Sequence, residues 1–118
     1  METLQRLTNL DELDAALASS GPILIFKHSP TCGISVQAHE EVAALLAGPP
    51  LAATAYCVLV REGRAVSNAI ATRLNIRHQS PQIILVERGV TRWHASHFRV
   101  TAAAIRTAVE QCTATATG

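Results

Sequence analysis

The run Ile23-Leu24-Ile25-Phe26 constrains the fold more than any other part of the chain. Its four consecutive apolar residues lie between Gly21-Pro22 and Lys27-His28 and are typical of a strand that is covered on both faces. Such strands belong to sheets that carry helices on both sides. We therefore predict an α/β protein.

The rest of the chain alternates between helical and strand patterns. A helix carrying Leu10, Leu13 and Leu17, capped by Asn9 or Asp11, precedes the apolar strand. After it we predict a helix from about Cys32 to Ala47, a strand over Ala53–Val60, a helix over Arg64–Leu74, strands over Pro81–Val86 and Val90–Ala95, and a helix from the Thr101 cap to about Cys112. This order predicts a thioredoxin-like fold, in which a central four-stranded mixed sheet is flanked by helices on both faces.

Length and composition indicate a single domain. The 118 residues are 48% apolar, and we assign residues 1–112 to the domain and residues 113–118, which are small and polar, to a flexible tail. The net charge of +1 favours neither nucleic acid nor an anionic membrane as partner. Residues 1–4 lack the pattern of a signal peptide, and no apolar run reaches the roughly 20 residues of a membrane span. We therefore expect a cytoplasmic protein.

Cys32 is the leading candidate for chemistry. It follows the apolar strand and begins a helix, where unpaired N–H groups and the helix dipole favour an anion. A thiol in such a place ionises more readily than a free one. The alternative is a buried apolar cysteine, but strand–loop–helix junctions are where α/β folds expose functional groups. Lys27 and His28 could add positive charge, although their side chains point to opposite faces of the strand, so at most one would lie near the sulfur.

Ser35 occupies the position three residues after Cys32, on the same helix face. Its hydroxyl could donate a hydrogen bond to the thiolate or simply face solvent. No second sulfur is available within the motif. Cys57 lies in mid-strand and Cys112 at the end of the last helix, and we interpret both as structural thiols. The spacing of the three cysteines fits no zinc site. The pattern therefore indicates a thiol that forms disulfides with other molecules.

Three further segments carry polar or aromatic groups. His39 is roughly 10 Å from Cys32 along the helix axis and is interpreted as a surface histidine. Ser80-Pro81 opens a strand, and in thioredoxin-like proteins the matching proline is cis and faces the active thiol, which outweighs the general preference for a trans bond. Alternation places Trp93 on the opposite strand face from His94. His94 and His97 are a weak metal signal, and a structural histidine pair is the simpler interpretation.

Taken together, these segments resemble the monothiol bacilliredoxins. The matching residues are Lys27-His28-Ser29, Thr31-Cys32, Ile34-Ser35, Ser67-Asn68, Ile70-Ala71, His78, Ser80-Pro81-Gln82, Trp93-His94, Ser96-His97 and Thr101. The resemblance implies that Cys32 attacks a mixed disulfide between a protein and bacillithiol, with Ser35 in the place of a resolving cysteine. It further implies a substrate-binding set of Lys27, Thr31, Gly33, Ser80, Pro81, Trp93 and His97.

The resemblance also defines the expected partners. It implies no metal and no cofactor, with bacillithiol or a similar small thiol as co-substrate, and S-thiolated cytosolic proteins as substrates. We favour a monomer.

Gly33 departs from the family pattern, which has proline at this position. The motif Cys32-Gly33-Ile34-Ser35 is therefore also similar to the Cys-Gly-Phe-Ser of monothiol glutaredoxins, which hold an iron–sulfur cluster between two subunits with glutathione as co-ligand. The chain lacks the paired glycine that those proteins use for the glutathione carboxylate, and this favours the oxidoreductase. A non-catalytic stress protein with a thioredoxin fold is the third hypothesis.

Overall fold

The computed structural model describes the backbone of residues 4–117 and the side chains of residues 4–113. Within residues 4–117, five strands and four α-helices follow one another. They are β1 (Leu4–Arg6), α1 (Leu10–Leu17), β2 (Pro22–His28), α2 (Gly33–Ala47), β3 (Thr54–Leu59), α3 (Arg64–Leu74), β4 (Gln82–Glu87), β5 (Val90–Ser96), a short 3-10 helix (His97–Arg99) and α4 (Ala102–Thr117).

The strands form one mixed sheet in the order β1-β3-β2-β4-β5. Strand β3 pairs in parallel with both β1 and β2, while β4 runs antiparallel to β2 and to β5. The apolar strand β2 is therefore central, and its residues Ile23–His28 are all buried. This confirms the thioredoxin-like α/β arrangement and places the carboxyl end of β2 beside the amino end of β4.

The predicted number of four strands is wrong because the sheet also includes β1. Leu4–Arg6 has only three residues, two of them polar, and lies on the edge of the sheet, where it pairs with Ala55–Cys57. So short a segment has no alternation that could identify it as a strand. Its place depends on pairing with β3, which is a tertiary contact.

Alternate residues of the central strand pack into two separate cores. Leu24 and Phe26 join the core beneath α2 and α4, whereas Ile23 and Ile25 join the core beneath α1 and α3. This is the physical reason for the continuous apolar run, since a strand with helices on both sides needs apolar residues at every position. The same alternation sends Lys27 and His28 to opposite faces.

The helix ends largely follow the capping residues. Asn9 caps α1, because its Oδ1 accepts a 2.8 Å hydrogen bond from the Glu12 N–H. Glu12 in turn accepts from the Thr8 N–H and hydroxyl at 2.6 and 2.7 Å. Helix α4 continues to Thr117, beyond the predicted end near Cys112. The flexibility of residues 113–118 stays a prediction. Among residues 4–117, no helix combines the length and apolar character needed to cross a membrane.

Candidate active site

Cys32 is the accessible thiol of the described chain. It is the N-cap residue of α2, with φ −98° and ψ 125°, and its side chain makes no capping hydrogen bond. It is partly exposed, whereas Cys57 and Cys112 are buried. The Cys32 N–H donates to the Ser29 carbonyl at 2.9 Å, which closes a tight turn before the helix. The sulfur therefore lies at the helix N-terminus without a competing intramolecular partner in the described part of the chain.

Cys57 and Cys112 lie in two separate buried environments. Cys57 pairs with Phe26 in the sheet, and burial raises the pKa of its thiol to about 11. Cys112 lies on α4, where its Sγ donates to Glu87 Oε1 at 3.7 Å. Neither is disulfide-bonded. Both thiols are shielded from solvent, and the thiol of Cys57 also stays protonated at neutral pH, so the structure leaves Cys32 as the candidate for exchange.

Ser35 does not occupy either place considered for it from the sequence. It is fully buried, with none of its surface exposed, and so does not face solvent. Its Oγ accepts from the Ser29 N–H at 2.9 Å and lies 2.8 Å from His28 Nδ1. These two partners join the loop before Cys32 to strand β2, so Ser35 holds the loop that carries the thiol.

The imidazole of His28 is the side-chain partner of Ser35. Burial, with smaller contributions from the charges of His39 and Arg6, lowers the pKa of His28 and keeps its imidazole neutral at neutral pH. A serine hydroxyl has one donor and two acceptor sites, so the direction of the bond between Ser35 Oγ and His28 Nδ1 is set by the tautomer of the ring. Among residues 4–113, the hydrogen-bond partners of Ser35 Oγ are Ser29 and His28, and the Cys32 sulfur is not one of them.

Three rings form a stack on the α2 side of the sheet. His28 lies against Phe26 at a ring-centroid distance of 5.3 Å and against His39 at 4.8 Å. His39, which we interpreted as a surface histidine, is only partly exposed, and its ring packs in this stack. The position of His39, seven residues after Cys32, gives the distance between the two residues along the helix axis. It does not show that the ring of His28 on β2 lies beneath His39.

The Ser80–Pro81 peptide bond is cis, as the fold led us to expect. Ser80 Oγ lies 2.8 Å from Ser29 Oγ, and the Pro81 carbonyl accepts from the His97 N–H at 3.0 Å. The cysteine loop, the proline loop and the start of the 3-10 helix are thus tied together at one edge of the sheet. Thr31 and Gly33 flank Cys32 and are exposed at the same edge.

Trp93 and His97 lie in different places. His97, which has a left-handed φ of 57°, is exposed and borders a cleft of about 90 Å³ beside Ile34, close to the start of α2. Trp93 on β5 pairs with Leu85 on β4, and Leu85 pairs with Leu24 on β2. Leu24 lies three residues before Lys27, so Trp93 is level with the middle of β2 and not with its carboxyl end. Trp93 lines a cavity of about 300 Å³ with Thr91, Arg92 and Cys112, between β5 and α4. The structure does not bring Trp93 to Cys32.

A second polar cluster lies on the α3 side of the sheet and contains Lys27, which the family resemblance assigned to the substrate-binding set. Lys27 is fully buried there, and its Nζ lies 3.1 Å from His78 Nδ1. Gln82 opposes Lys27 across β2 and β4 and donates through Nε2 to the Arg77 carbonyl at 3.0 Å, while its buried Oε1 has no hydrogen-bond partner. The signal for this cluster in the sequence is a lysine at the end of a buried strand. The partners of that lysine could not be predicted, because they depend on tertiary contacts. Within residues 4–117, no group of three or more metal-binding side chains is assembled.

Gly33 is the first residue of α2, and the structure accommodates a proline there. A Cβ added at Gly33 would meet no atom within 4 Å, and Cys32 is extended, as a residue before proline must be. We expect Gly33→Pro to raise the free energy of unfolding by about 0.5–1 kcal/mol, because proline is preorganised at this helix position and restricts the unfolded chain. Urea denaturation of both proteins measures this, with Gly33→Ala as control. A loss of stability in the proline variant alone would show that the backbone N–H is needed.

The fold and the site define a thioredoxin-fold protein with one accessible thiol at a helix N-terminus beside a cis-proline. The sequence pattern of the monothiol bacilliredoxin BrxC family matches residues 5–105. The chain therefore belongs to the monothiol bacilliredoxin BrxC family. Family and fold together make it a thiol–disulfide oxidoreductase in general terms.

Solved structures show the same fold. One, a protein proposed to be an oxidoreductase with a thioredoxin fold, is 25% identical, has a TM-score of 0.81 and is matched over 89% of this chain and 92% of its own. Thioredoxin O2 from Arabidopsis thaliana is 23% identical, with a TM-score of 0.71 over 93% and 94% of the two chains. A thioredoxin from Malassezia sympodialis is 12% identical, with a TM-score of 0.74 over 94% and 91%. The last two support the fold alone.

Proposed function

We propose that this protein removes bacillithiol, or a similar small thiol, from S-thiolated proteins through a mixed disulfide on Cys32. The observation that carries the proposal is the contrast among the three thiols. Cys32 is accessible at the N-cap of α2, whereas Cys57 and Cys112 are buried away from solvent. Family membership supports the choice of bacillithiol as the small thiol.

The exchange consists of two balanced steps. The Cys32 thiolate attacks the small-thiol sulfur of the protein mixed disulfide, the old S–S bond breaks, and the protein leaves as a thiolate that takes a proton from water. A second small thiol, as its thiolate, then attacks the sulfur of the group bound to Cys32. The products are the small-thiol disulfide and the regenerated Cys32 thiolate. No metal or separate cofactor takes part.

The state of Ser35 supports a one-cysteine route. A resolving group must reach the mixed disulfide, but the Ser35 oxygen is buried and bonded to Ser29 and His28. It therefore acts by holding the Cys32 loop rather than by attacking a disulfide. Resolution by an external thiol follows, and we propose that the reaction takes place in the cytoplasm on S-thiolated proteins, with a monomeric enzyme.

Mapping of the adduct by mass spectrometry tests the proposal. Treatment with oxidised bacillithiol should add one bacillithiol to the native protein, located on Cys32, and none to Cys32→Ala. Cys57→Ala is the matched control and should still carry the adduct, because its own thiol is buried. An adduct found mainly on Cys57 or Cys112 would contradict the assignment.

The iron–sulfur alternative has its own test. Anaerobic reconstitution with iron and sulfide, followed by absorption spectroscopy, should leave no stable cluster on the native protein. A cluster that is retained through gel filtration and lost in Cys32→Ala would favour the carrier function over the oxidoreductase.

A further inference from the structure

Lys27 is the single lysine of the chain, and none of its surface is exposed. A buried ammonium is costly unless it is paired, and buried lysines usually have a carboxylate partner. Here the partner within hydrogen-bond distance is His78, a neutral base. Such an arrangement is unfavourable for stability, and this suggests a function for it.

The contact with Lys27 determines which ring nitrogen of His78 carries the proton. An ammonium group has only donors, so Lys27 Nζ donates and His78 Nδ1 accepts, at 3.1 Å. Ser67 Oγ approaches the same Nδ1 at 3.5 Å. Burial and the charge of Lys27 lower the pKa of His78, which favours a neutral ring. A neutral imidazole with Nδ1 as acceptor carries its proton on Nε2, and since His78 is an exposed residue, Nε2–H is the group available to a ligand.

The loop that carries this donor contacts the cysteine loop. His78 is three residues before the cis-proline Pro81, in the loop that Gln82 anchors through the Arg77 carbonyl. Ser80 of the same loop contacts Ser29 of the cysteine loop at 2.8 Å between hydroxyl oxygens. A small molecule joined to Cys32 through a disulfide is therefore next to the loop that carries His78.

The charges at this edge of the sheet favour an anionic ligand. The loops over residues 29–32, 60–63, 75–81 and 97–101 carry Arg61, Arg77 and Arg99 but only one acid, Glu62. Lys27 adds a buried positive charge beneath them. A carboxylate is the common anionic group of small biological thiols that would find both a donor and a favourable potential here.

We propose that His78 is a specificity-determining residue whose Nε2–H binds a carboxylate of the small-thiol half of the mixed disulfide, and that Lys27 is the positioning residue that fixes this tautomer. The proposal rests on the proposed function and adds the group that selects the small thiol. The charged or titratable residues of α3 and the loop that follows it are Arg64, Arg73, Arg77 and His78, and none is acidic. Nothing there competes with His78 for the ammonium.

Two substitutions of His78 distinguish its Nδ1 contact with Lys27 from its Nε2–H donor. In His78→Asn the amide can still accept from Lys27 but cannot place a donor at the Nε2 position, whereas His78→Gln can place a donor there. The probes are three disulfides that differ in charge: glutathione disulfide, which is anionic, hydroxyethyl disulfide, which is neutral, and cystamine, which is cationic. The measured quantity is the second-order rate constant for adduct formation on Cys32.

We expect His78→Asn to slow the reaction with glutathione disulfide by about tenfold, the scale of one hydrogen bond to a charged group. Its reactions with the neutral and cationic disulfides should be unchanged. His78→Gln should keep the rate with glutathione disulfide within about threefold of the native rate, since it retains a donor. A uniform loss with all three disulfides would overturn the proposal, because His78 would then act on the loop or the thiol and not on the ligand.

The tautomer is tested separately on the native protein. Nitrogen-15 NMR of the imidazole should show His78 as the Nε2–H form, and Lys27→Met should give a mixture of the two tautomers. A native His78 protonated at Nδ1 would overturn the assigned role of Lys27. If Cys32 forms no adduct with any disulfide, the proposed function fails, whereas adducts without charge discrimination refute the role of His78 alone.

Discussion

Phe26→Ala is expected to lower the free energy of unfolding by about 3–5 kcal/mol, the usual cost of removing a fully buried aromatic side chain. Phe26 has no exposed surface and lies on the central strand, within the core beneath α2 and α4. Its ring also supports the stack of His28 and His39. The cavity left by the substitution would open directly under the helix that carries Cys32.

Urea denaturation measures this loss, and the chain offers a matched control. Phe98 is the only other phenylalanine and is 67% exposed, on the short 3-10 helix. Phe98→Ala should therefore change stability by no more than about 0.5 kcal/mol. Equal effects of the two substitutions would contradict the burial that the structure assigns to them. A domain of this size has about 5–15 kcal/mol of stability in total, so Phe26→Ala removes a large share of it.

The loss at Phe26 should also reach the active site. The stack holds His28, and His28 holds the Ser35 hydroxyl that binds the loop before Cys32. We expect faster alkylation of Cys32 by a bulky reagent in Phe26→Ala under conditions where the variant is still folded, because the loop is less constrained. An unchanged rate would show that the Ser29–Ser80 contact alone is enough to hold the loop.

The parts of the fold that local pattern determines could be predicted from the sequence. Helix α3 begins and ends as predicted, at Arg64 and Leu74, because Val66, Ile70 and Leu74 repeat every four residues. The apolar run of β2 predicted helices on both faces, and both cores are present. Strand β1 has no such pattern, and its existence depends on pairing with β3.

The site was predictable in its main residue and not in its contacts. The position of Cys32 after a buried strand indicated an accessible thiol at a helix start. The partner of Ser35 was not predictable, because it requires His28 on a strand and Ser29 in a loop to meet beneath the helix. For the same reason the sequence could not place Trp93, which lies beside α4 instead of the thiol.

The second large expected effect concerns Lys27, whose removal should stabilise the protein. Burial lowers the pKa of Lys27 from 10.5 to about 8, which corresponds to a cost of about 3 kcal/mol for holding the charge at neutral pH. Methionine has a similar length and needs no partner. Since Lys27→Met also loses the hydrogen bond to His78, we expect a net gain of about 2 kcal/mol at pH 7. Arg61→Met, which removes an exposed cation, is the control and should change stability by less than about 0.5 kcal/mol.

The pH dependence of this gain identifies its cause. Between pH 8 and 10.5 the unfolded chain holds the Lys27 proton and the folded chain does not, so unfolding takes up a proton and native stability rises with pH. The advantage of Lys27→Met should therefore be constant below pH 8 and vanish by about pH 10.5. Cys57, whose pKa is raised from 9.0 to about 11, acts in the opposite direction over an overlapping range, because there the folded chain keeps a proton that the unfolded chain releases.

The difference between native protein and Lys27→Met cancels the contribution of Cys57, since both proteins contain it, and leaves that of Lys27. Because the chain has one lysine, a carbon-13 label at lysine Cε gives a single NMR resonance whose titration should have its midpoint near pH 8. A midpoint near 10.5 with no gain in Lys27→Met would mean that the ammonium is solvated and costs the fold nothing. A gain in stability together with lost selection for an anionic disulfide would instead show that the buried charge is kept for function at the expense of stability.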